Sequence, residues 1–211
     1  MVHLNLKVGV DFDNTIICYD TIFYKVALEK GLIPKTLPVN KGTVRNFLRE
    51  VGKEDEWTNM QGYVYGSRLK DAKPFPGVTD FFLYCKQRDI NVYIVSHKTR
   101  YPYMGQQYDL HGAAYDWLKF QGLYDSQKIG LSEKKVFFEL TKYEKIKRIT
   151  ELKCTHFIDD LPEFLNETDF PVSTDRILFD PNNLHTTNFM YCRMTSWKEI
   201  KNKFSDILLK G

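Results

Sequence analysis

Three polar strings in the sequence each follow directly on a short apolar run. They are Asp11-Phe12-Asp13-Asn14-Thr15 after Leu6 to Val10, Ser96-His97-Lys98-Thr99 after Asn91 to Val95, and Asp159-Asp160 after His156 to Ile158. In open α/β sheets ligands gather at the carboxyl ends of the strands, so these are the side chains to inspect first. If the strands are parallel, all three strings face one crevice. Carboxylates from Asp11, Asp13, Asp159 and Asp160 converging there would repel one another at neutral pH unless a hard cation sat among them, and magnesium suits such oxygen donors. That metal and a nearby lysine would neutralise charge on a transferring phosphoryl group and on an attacking carboxylate. The chemistry favoured is phosphoryl transfer. Each string by itself has a plainer reading, as loop composition, as a serine capping the next helix, or as an acidic helix start. The case rests on all three occurring in one chain, in order.

The elements that must position these residues follow from the pattern of apolar positions. Besides the three runs above, Lys135 to Phe138 and Arg176 to Phe179 read as buried strands. Between them lie helical stripes: Val78, Phe81, Phe82 and Cys85; Ala113, Ala114, Trp117 and Leu118; Ile146, Ile149 and Leu152. Strands alternating with helices imply an α/β fold with a doubly wound, mainly parallel Rossmann-like sheet. The alternation breaks between Cys18 and Lys73, where helical patterns around Ile22 to Glu29 and Val44 to Val51 suggest an inserted helical cap. Pro74-Phe75-Pro76-Gly77 marks its end. The expected organisation is a core of residues 1–17 and 74–211 and a cap of residues 18–73. Lys98 to Leu110 reads as a long loop, and Asn182 to Gly211 as a tail with a closing helix.

Bulk properties narrow the partners. A chain of 211 residues, 43% hydrophobic and 15% aromatic, is expected to fold throughout around one main core. A net charge of +3 leaves no broad basic footprint, so a nucleic acid is not the expected partner and a small anionic substrate is. The basic run from Lys142 to Arg148 is interrupted by Glu144 and Ile146 and reads as a helix face. No stretch approaches the roughly 20 apolar residues that span a bilayer. Cys18, Cys85, Cys154 and Cys192 are too far apart for a zinc site and read as free thiols, mostly buried. With no secretory pattern at the start, a reducing cytoplasm is the expected location.

The string VGVDFDNTI resembles the first motif of the haloacid dehalogenase-like phosphatases, IVSHKT their second, and HFIDDLPEF their acidic fourth. The signals span residues 7 to 163. The resemblance implies that Asp11 is a nucleophile forming an aspartyl-phosphate while its other oxygen ligates magnesium. It makes Asp13 the general acid and then base, with its backbone carbonyl also on the metal. Ser96 would hydrogen-bond the phosphoryl oxygens. Asp159 would be the remaining carboxylate ligand, and Asp160 would orient a metal-bound water. The family's third motif is a lysine; Lys142 and Lys145 both precede the stripe of Ile146, and Lys142 is preferred because it falls in the first turn of the expected helix. The pairing of Asp13 with Asp11 argues against dehalogenation.

Candidate substrate-binding residues are Asn14, Thr15, His97, Lys98 and Arg100, with Tyr19, Tyr63, Tyr65, Arg68, Tyr101 and Tyr103 as further possibilities. Aromatics at such positions commonly just pack, and His3, His111, His156 and His185 read as structural. The leading expectation is a magnesium-dependent phosphomonoesterase acting on a small phosphorylated metabolite, a sugar phosphate or nucleotide, as a monomer or homodimer. A phosphomutase and a non-catalytic phosphometabolite-binding protein are the alternatives; free phosphate released with magnesium separates the first from both.

Overall fold

The structure, a computed structural model, describes residues 5–186, 188 and 190–210. In chain order its strands and α-helices are β1 (Lys7–Val10), β2 (Ile17–Cys18), α1 (Asp20–Glu29), α2 (Lys41–Glu50), α3 (Glu54–Gly66), β3 (Lys73–Pro74), α4 (Val78–Gln87), β4 (Asn91–His97), α5 (Leu110–Phe120), β5 (Val136–Glu139), α6 (Lys142–Leu152), β6 (His156–Asp159), α7 (Pro162–Leu165), β7 (Asp175–Phe179), β8 (Cys192–Met194) and α8 (Trp197–Lys210). His3 lies outside the described residues.

The chain divides into two compact units. The first runs to Ile16 and takes up Pro74–His97 and the chain from Gly122 onward. Its six-stranded sheet has the order β5-β4-β1-β6-β7-β8, with every neighbouring pair parallel. Successive side chains of a strand point to opposite faces, and both faces of this sheet are covered. Phe157 of β6 packs with Phe164 and Phe170 on one face, in a core shared with Val95, Ile146 and Ile149. His156, its neighbour in β6, stacks against Phe204 of α8 on the other, where Phe81, Phe179 and Trp197 also cluster. Gly9 in β1 is required by this packing: a Cβ there would lie 2.4 Å from Phe157 Cδ2. The result is the expected doubly wound, Rossmann-like α/β sheet.

One element of this unit differs from the sequence reading. β8 is a short parallel strand on the sheet edge, where the sequence suggested only a tail. The expected closing helix is present as α8, which buries Trp197, Ile200 and Phe204.

The second unit comprises Ile17–Lys73 and Lys98–Gln121. It therefore groups residues 98–121, which the sequence reading placed with the core, with the stretch up to Lys73. α5 belongs here by packing: Trp117 is fully buried and its Nε1 donates to the Ala72 carbonyl at 2.9 Å. α3, which the sequence reading did not anticipate, buries Trp57, Met60 and Val64 against α1 and α2. β2 and β3 form a separate two-stranded sheet. The cysteines are free; Cys85 and Cys154 are buried, Cys18 half-buried and Cys192 exposed.

Candidate active site

The first unit gathers its charged residues where β1 and β6 end side by side. Val10 of β1 is in register with Ile158 of β6, so Asp11 and Asp159 emerge as neighbours, and Asp11 N–H donates to the Ile158 carbonyl at 2.9 Å. Both side chains are buried. One oxygen each from Asp11, Asp159 and Asp160 lie within 4.8 Å of one another. Asp159 is braced from behind, because its Oδ1 accepts the Leu161 N–H at 2.9 Å.

A lysine stands between the two buried carboxylates. Lys145 Nζ is 2.6 Å from Asp11 Oδ1 and 2.6 Å from Asp159 Oδ2, and is itself buried. It is positioned by a complete capping box: Thr141 Oγ1 accepts the Glu144 N–H at 3.1 Å, and Glu144 Oε2 accepts the Thr141 N–H at 3.0 Å. That box starts α6 at Lys142 and brings Lys145, Ile146 and Ile149 onto its buried face.

The preference for Lys142 is therefore corrected. Three residues on a helix nearly restore the same direction, so Lys142 shares the face of Lys145. It lies about 4.5 Å nearer the helix start, however, and side chains lean towards that start. A lysine one turn in reaches back to the strand tips. Lys142 overshoots them and meets Glu167 at 3.9 Å, with both partners substantially exposed.

Burial is the largest influence on Asp11 and pushes its pKa up to about 7; the Lys145 ammonium opposes this, while Asp159 and Asp13 reinforce it. Burial also works against the charged Lys145, but the two carboxylates outweigh it and raise its pKa above the usual lysine value. The arrangement is thus a buried ammonium holding two buried carboxylates, whose combined charge leaves room for a further positive group.

The other expected site residues of this unit fall around that centre. Asp13 is half-buried on the loop after β1, and its carboxylate is not in the three-aspartate group. Asn14 has φ 57°, a left-handed conformation that asparagine tolerates better than most residues. Thr15 is buried and its Oγ1 donates to Asp160 Oδ1 at 3.5 Å, tying this loop to the end of β6. Ser96, near the end of β4, is buried with its Oγ lacking a hydrogen-bond partner among the described residues. His97 Nε2 donates to the Leu140 carbonyl at 3.1 Å, which spends that nitrogen on the neighbouring loop.

An unpartnered buried hydroxyl near a strand end is what a site for a polar ligand leaves behind. An all-oxygen donor set from three carboxylates fits a hard divalent cation better than a soft one. Asp11, Asp159 and Asp160 are the side chains that could hold it.

In the second unit, Lys98 is buried with its Nζ 5.0 Å from the Tyr65 ring centre, and its carbonyl accepts from His111 Nε2 at 2.7 Å. Arg100 pairs with Asp109 at 3.1 Å and helps close the 98–110 loop. Arg68 is committed to Glu29 and Asp71. Tyr19 is buried against Phe23 and Tyr65, Tyr63 lies beneath Lys30, and Tyr101 and Tyr103 are exposed. Lys41, not singled out from sequence, stands over Tyr19, Phe23 and Tyr65. Nothing in its sequence context, the first residue after an Asn cap, marks it.

No protein-family model matches the chain, and no curated protein sequence does. Solved structures do. A HAD family hydrolase from Deinococcus radiodurans R1, with bound phosphate and sodium, is 10% identical with a TM-score of 0.59, over 98% of this chain and 97% of the other. A HAD hydrolase from Entamoeba histolytica is 16% identical with a TM-score of 0.56, over 98% and 100% of the two chains. A HAD-superfamily hydrolase from Ehrlichia chaffeensis is 15% identical with a TM-score of 0.55, over 96% and 97%. The chain has the haloacid dehalogenase-like fold.

Proposed function

We propose that this HAD-like chain is a magnesium-dependent phosphomonoesterase that hydrolyses a small phosphorylated metabolite through a phosphoenzyme on Asp11. The observation that carries this reading is the buried constellation of Asp11, Lys145 and Asp159, with Asp160 close by. The phosphate bound in the Deinococcus radiodurans structure is consistent with it.

An oxygen of Asp11 attacks phosphorus, and the ester P–O bond breaks as the carboxylate becomes an acyl phosphate. Asp13, two residues further along the loop, gives its proton to the departing alcohol oxygen. In the second step Asp13 takes a proton from water, whose oxygen attacks the same phosphorus and frees Asp11. Lys145 neutralises charge on Asp11 and holds its carboxylate in one orientation throughout. The Ser96 hydroxyl donates to a phosphoryl oxygen. Asp11, Asp159, Asp160 and the Asp13 carbonyl would hold magnesium, which when bound withdraws negative charge from the phosphoryl oxygens.

Phosphate release from a panel of phosphate monoesters tests this, with wild type and Asp11→Asn compared in magnesium and in chelator. Magnesium-dependent release that disappears in the variant is expected. Release that persists undiminished in Asp11→Asn would refute the proposal.

A further inference from the structure

The start of the C-terminal helix touches the loop that carries Asp13. Trp197, the first residue of α8, is buried, and its Nε1 donates to the Thr15 carbonyl at 3.1 Å, a contact between residues 182 apart in sequence. The indole is fixed independently of that bond. Its ring packs on Phe81 at 5.1 Å and on Phe179 at 5.7 Å, and a Cβ at Gly77 would lie 3.1 Å from the Trp197 Cβ. Ser196 Oγ accepts the Glu199 N–H at 3.2 Å and Glu199 Oε2 accepts the Thr195 N–H at 2.8 Å, which sets where α8 begins.

The loop from Asp11 to Ile16 is gripped on either side of Asp13. Before it, Phe12 is fully buried and meets Phe138 edge to face at 5.5 Å. After it, the Ile16 N–H donates to the Phe12 carbonyl at 3.1 Å, the Ile16 carbonyl accepts the Phe75 N–H at 2.9 Å, and Thr15 Oγ1 reaches Asp160. Asn14 joins the two sides with φ 57°, a conformation that a non-glycine residue keeps only where its surroundings over-determine it. A buried indole N–H requires an acceptor, and any nearby carbonyl would satisfy it. The one it takes belongs to Thr15, two residues past Asp13 and just beyond the left-handed turn.

We propose that Trp197 is a positioning residue for Asp13: its N–H fixes the Thr15 end of the turn and thereby the aim of the Asp13 carboxyl group. This rests on the phosphatase reading above. Asp13 has to meet two oxygens in succession, that of the departing alcohol and that of the attacking water, and a misplacement of about 1 Å costs on the order of 100-fold in such transfers.

Two esters that differ in their need for an acid are the probes. p-Nitrophenyl phosphate has a leaving group that departs without a proton, whereas the alkoxide of glycerol phosphate must be protonated. In Trp197→Phe, which keeps a ring and deletes the N–H, kcat/KM for glycerol phosphate should fall about tenfold or more. That for p-nitrophenyl phosphate should stay within about twofold of wild type, with kcat and KM falling together as the water step slows. Phe204→Leu, in the same aromatic cluster at 5.4 Å from the Phe81 ring, is the packing control and should lower the melting temperature without changing the ratio of the two esters. An equal fall on both esters in Trp197→Phe, no fall on either, or the same selective loss in Phe204→Leu overturns the proposal. Should Trp197→Phe not fold, Cys192 allows a synthetic segment of residues 192–211 to be ligated to the rest of the chain with benzothienylalanine at position 197, which keeps the shape of indole and lacks the N–H. The same ratio then decides. Release by wild type that vanishes in Asp11→Asn, with the ratio unmoved at position 197, sinks this inference alone; release that persists in Asp11→Asn sinks the phosphatase reading and this inference with it.

Discussion

Lys145 of α6 and Asp159 at the end of β6 are fourteen residues apart in sequence and meet at 2.6 Å, with no solvent on the carboxylate. The same ammonium reaches Asp11 at the same distance, so a single side chain of α6 ties both strand ends together.

Lys145→Met should therefore be costly and Lys142→Met should not. Removing the ammonium leaves Asp11 and Asp159 buried against each other, a situation typically worth about 3–5 kcal/mol. The exposed pair of Lys142 with Glu167 is worth about 0–1 kcal/mol. Chemical denaturation in chelator measures both, and added magnesium should restore part of the loss in Lys145→Met only. Phosphate release should fall at least about 100-fold in Lys145→Met and stay near wild type in Lys142→Met. Equal effects of the two substitutions would contradict the assignment of roles.

Ser96→Ala should separate stability from activity. Its hydroxyl is buried without a partner among the described residues, so deleting it removes a desolvation cost and should leave stability unchanged or raise it by about 1 kcal/mol. Loss of a donor to the phosphoryl group should still lower kcat by about 100-fold. A clear drop in melting temperature would mean that the hydroxyl supports the fold.

Stability should decline in mild acid through His156. Burial lowers the pKa of this imidazole below its ordinary 6.5, and the Asp175 carboxylate at 3.5 Å only partly offsets that. The unfolded chain therefore takes up a proton that the folded chain refuses, and the native state loses ground as pH falls below about 6.5. Above that value neither state is charged at this site and the contribution is fully present. Urea midpoints from pH 8 to pH 5 should fall less steeply for His156→Phe, whose ring can keep the packing against Phe204. Parallel pH profiles for the two proteins would rule this out.

Gly66→Ala should destabilise the second unit by about 1–3 kcal/mol through overpacking. An added Cβ would sit 2.3 Å from both Cβ and Cγ of Tyr108, at the point where α3 meets the 98–110 loop. Thermal unfolding checks this. The loss should be much smaller in a Tyr108→Gly background, which removes both contacting carbons, and an equal loss in the two backgrounds would count against the contact.

The strand tips were legible in the sequence because a parallel strand buried on both faces must be apolar throughout. Its first polar residue therefore announces the edge of the sheet. Asp11, Ser96 and Asp159 follow from that rule. The choice between Lys142 and Lys145 did not, because both have the same direction on α6, and only their height relative to the strand ends separates them. β8 escaped notice because Cys192, Arg193 and Met194 carry no β-branched run; the strand is held by pairing with β7. The grouping of residues 98–121 with residues 17–73 escaped notice for a similar reason. The apolar face of α5 is equally compatible with a sheet or a helix cluster, and which one it covers depends on Ala72 and Gly66, far away in sequence.

The interleaving of the two units has a consequence for how such a chain can be recombined. The backbone passes from one unit to the other four times, at residues 16–17, 73–74, 97–98 and 121–122. The second unit is thus written in two separate stretches, residues 17–73 and 98–121, that are inherited as a pair. A chimera exchanging only residues 17–73 with a homologue would have to re-form the Trp117 bond to the residue 72 carbonyl on a foreign backbone and would press a foreign α3 against Tyr108. Transplants of this unit between relatives must move both stretches at once, so change in this architecture arises more readily by point substitution within the pair than by shuffling a single cassette.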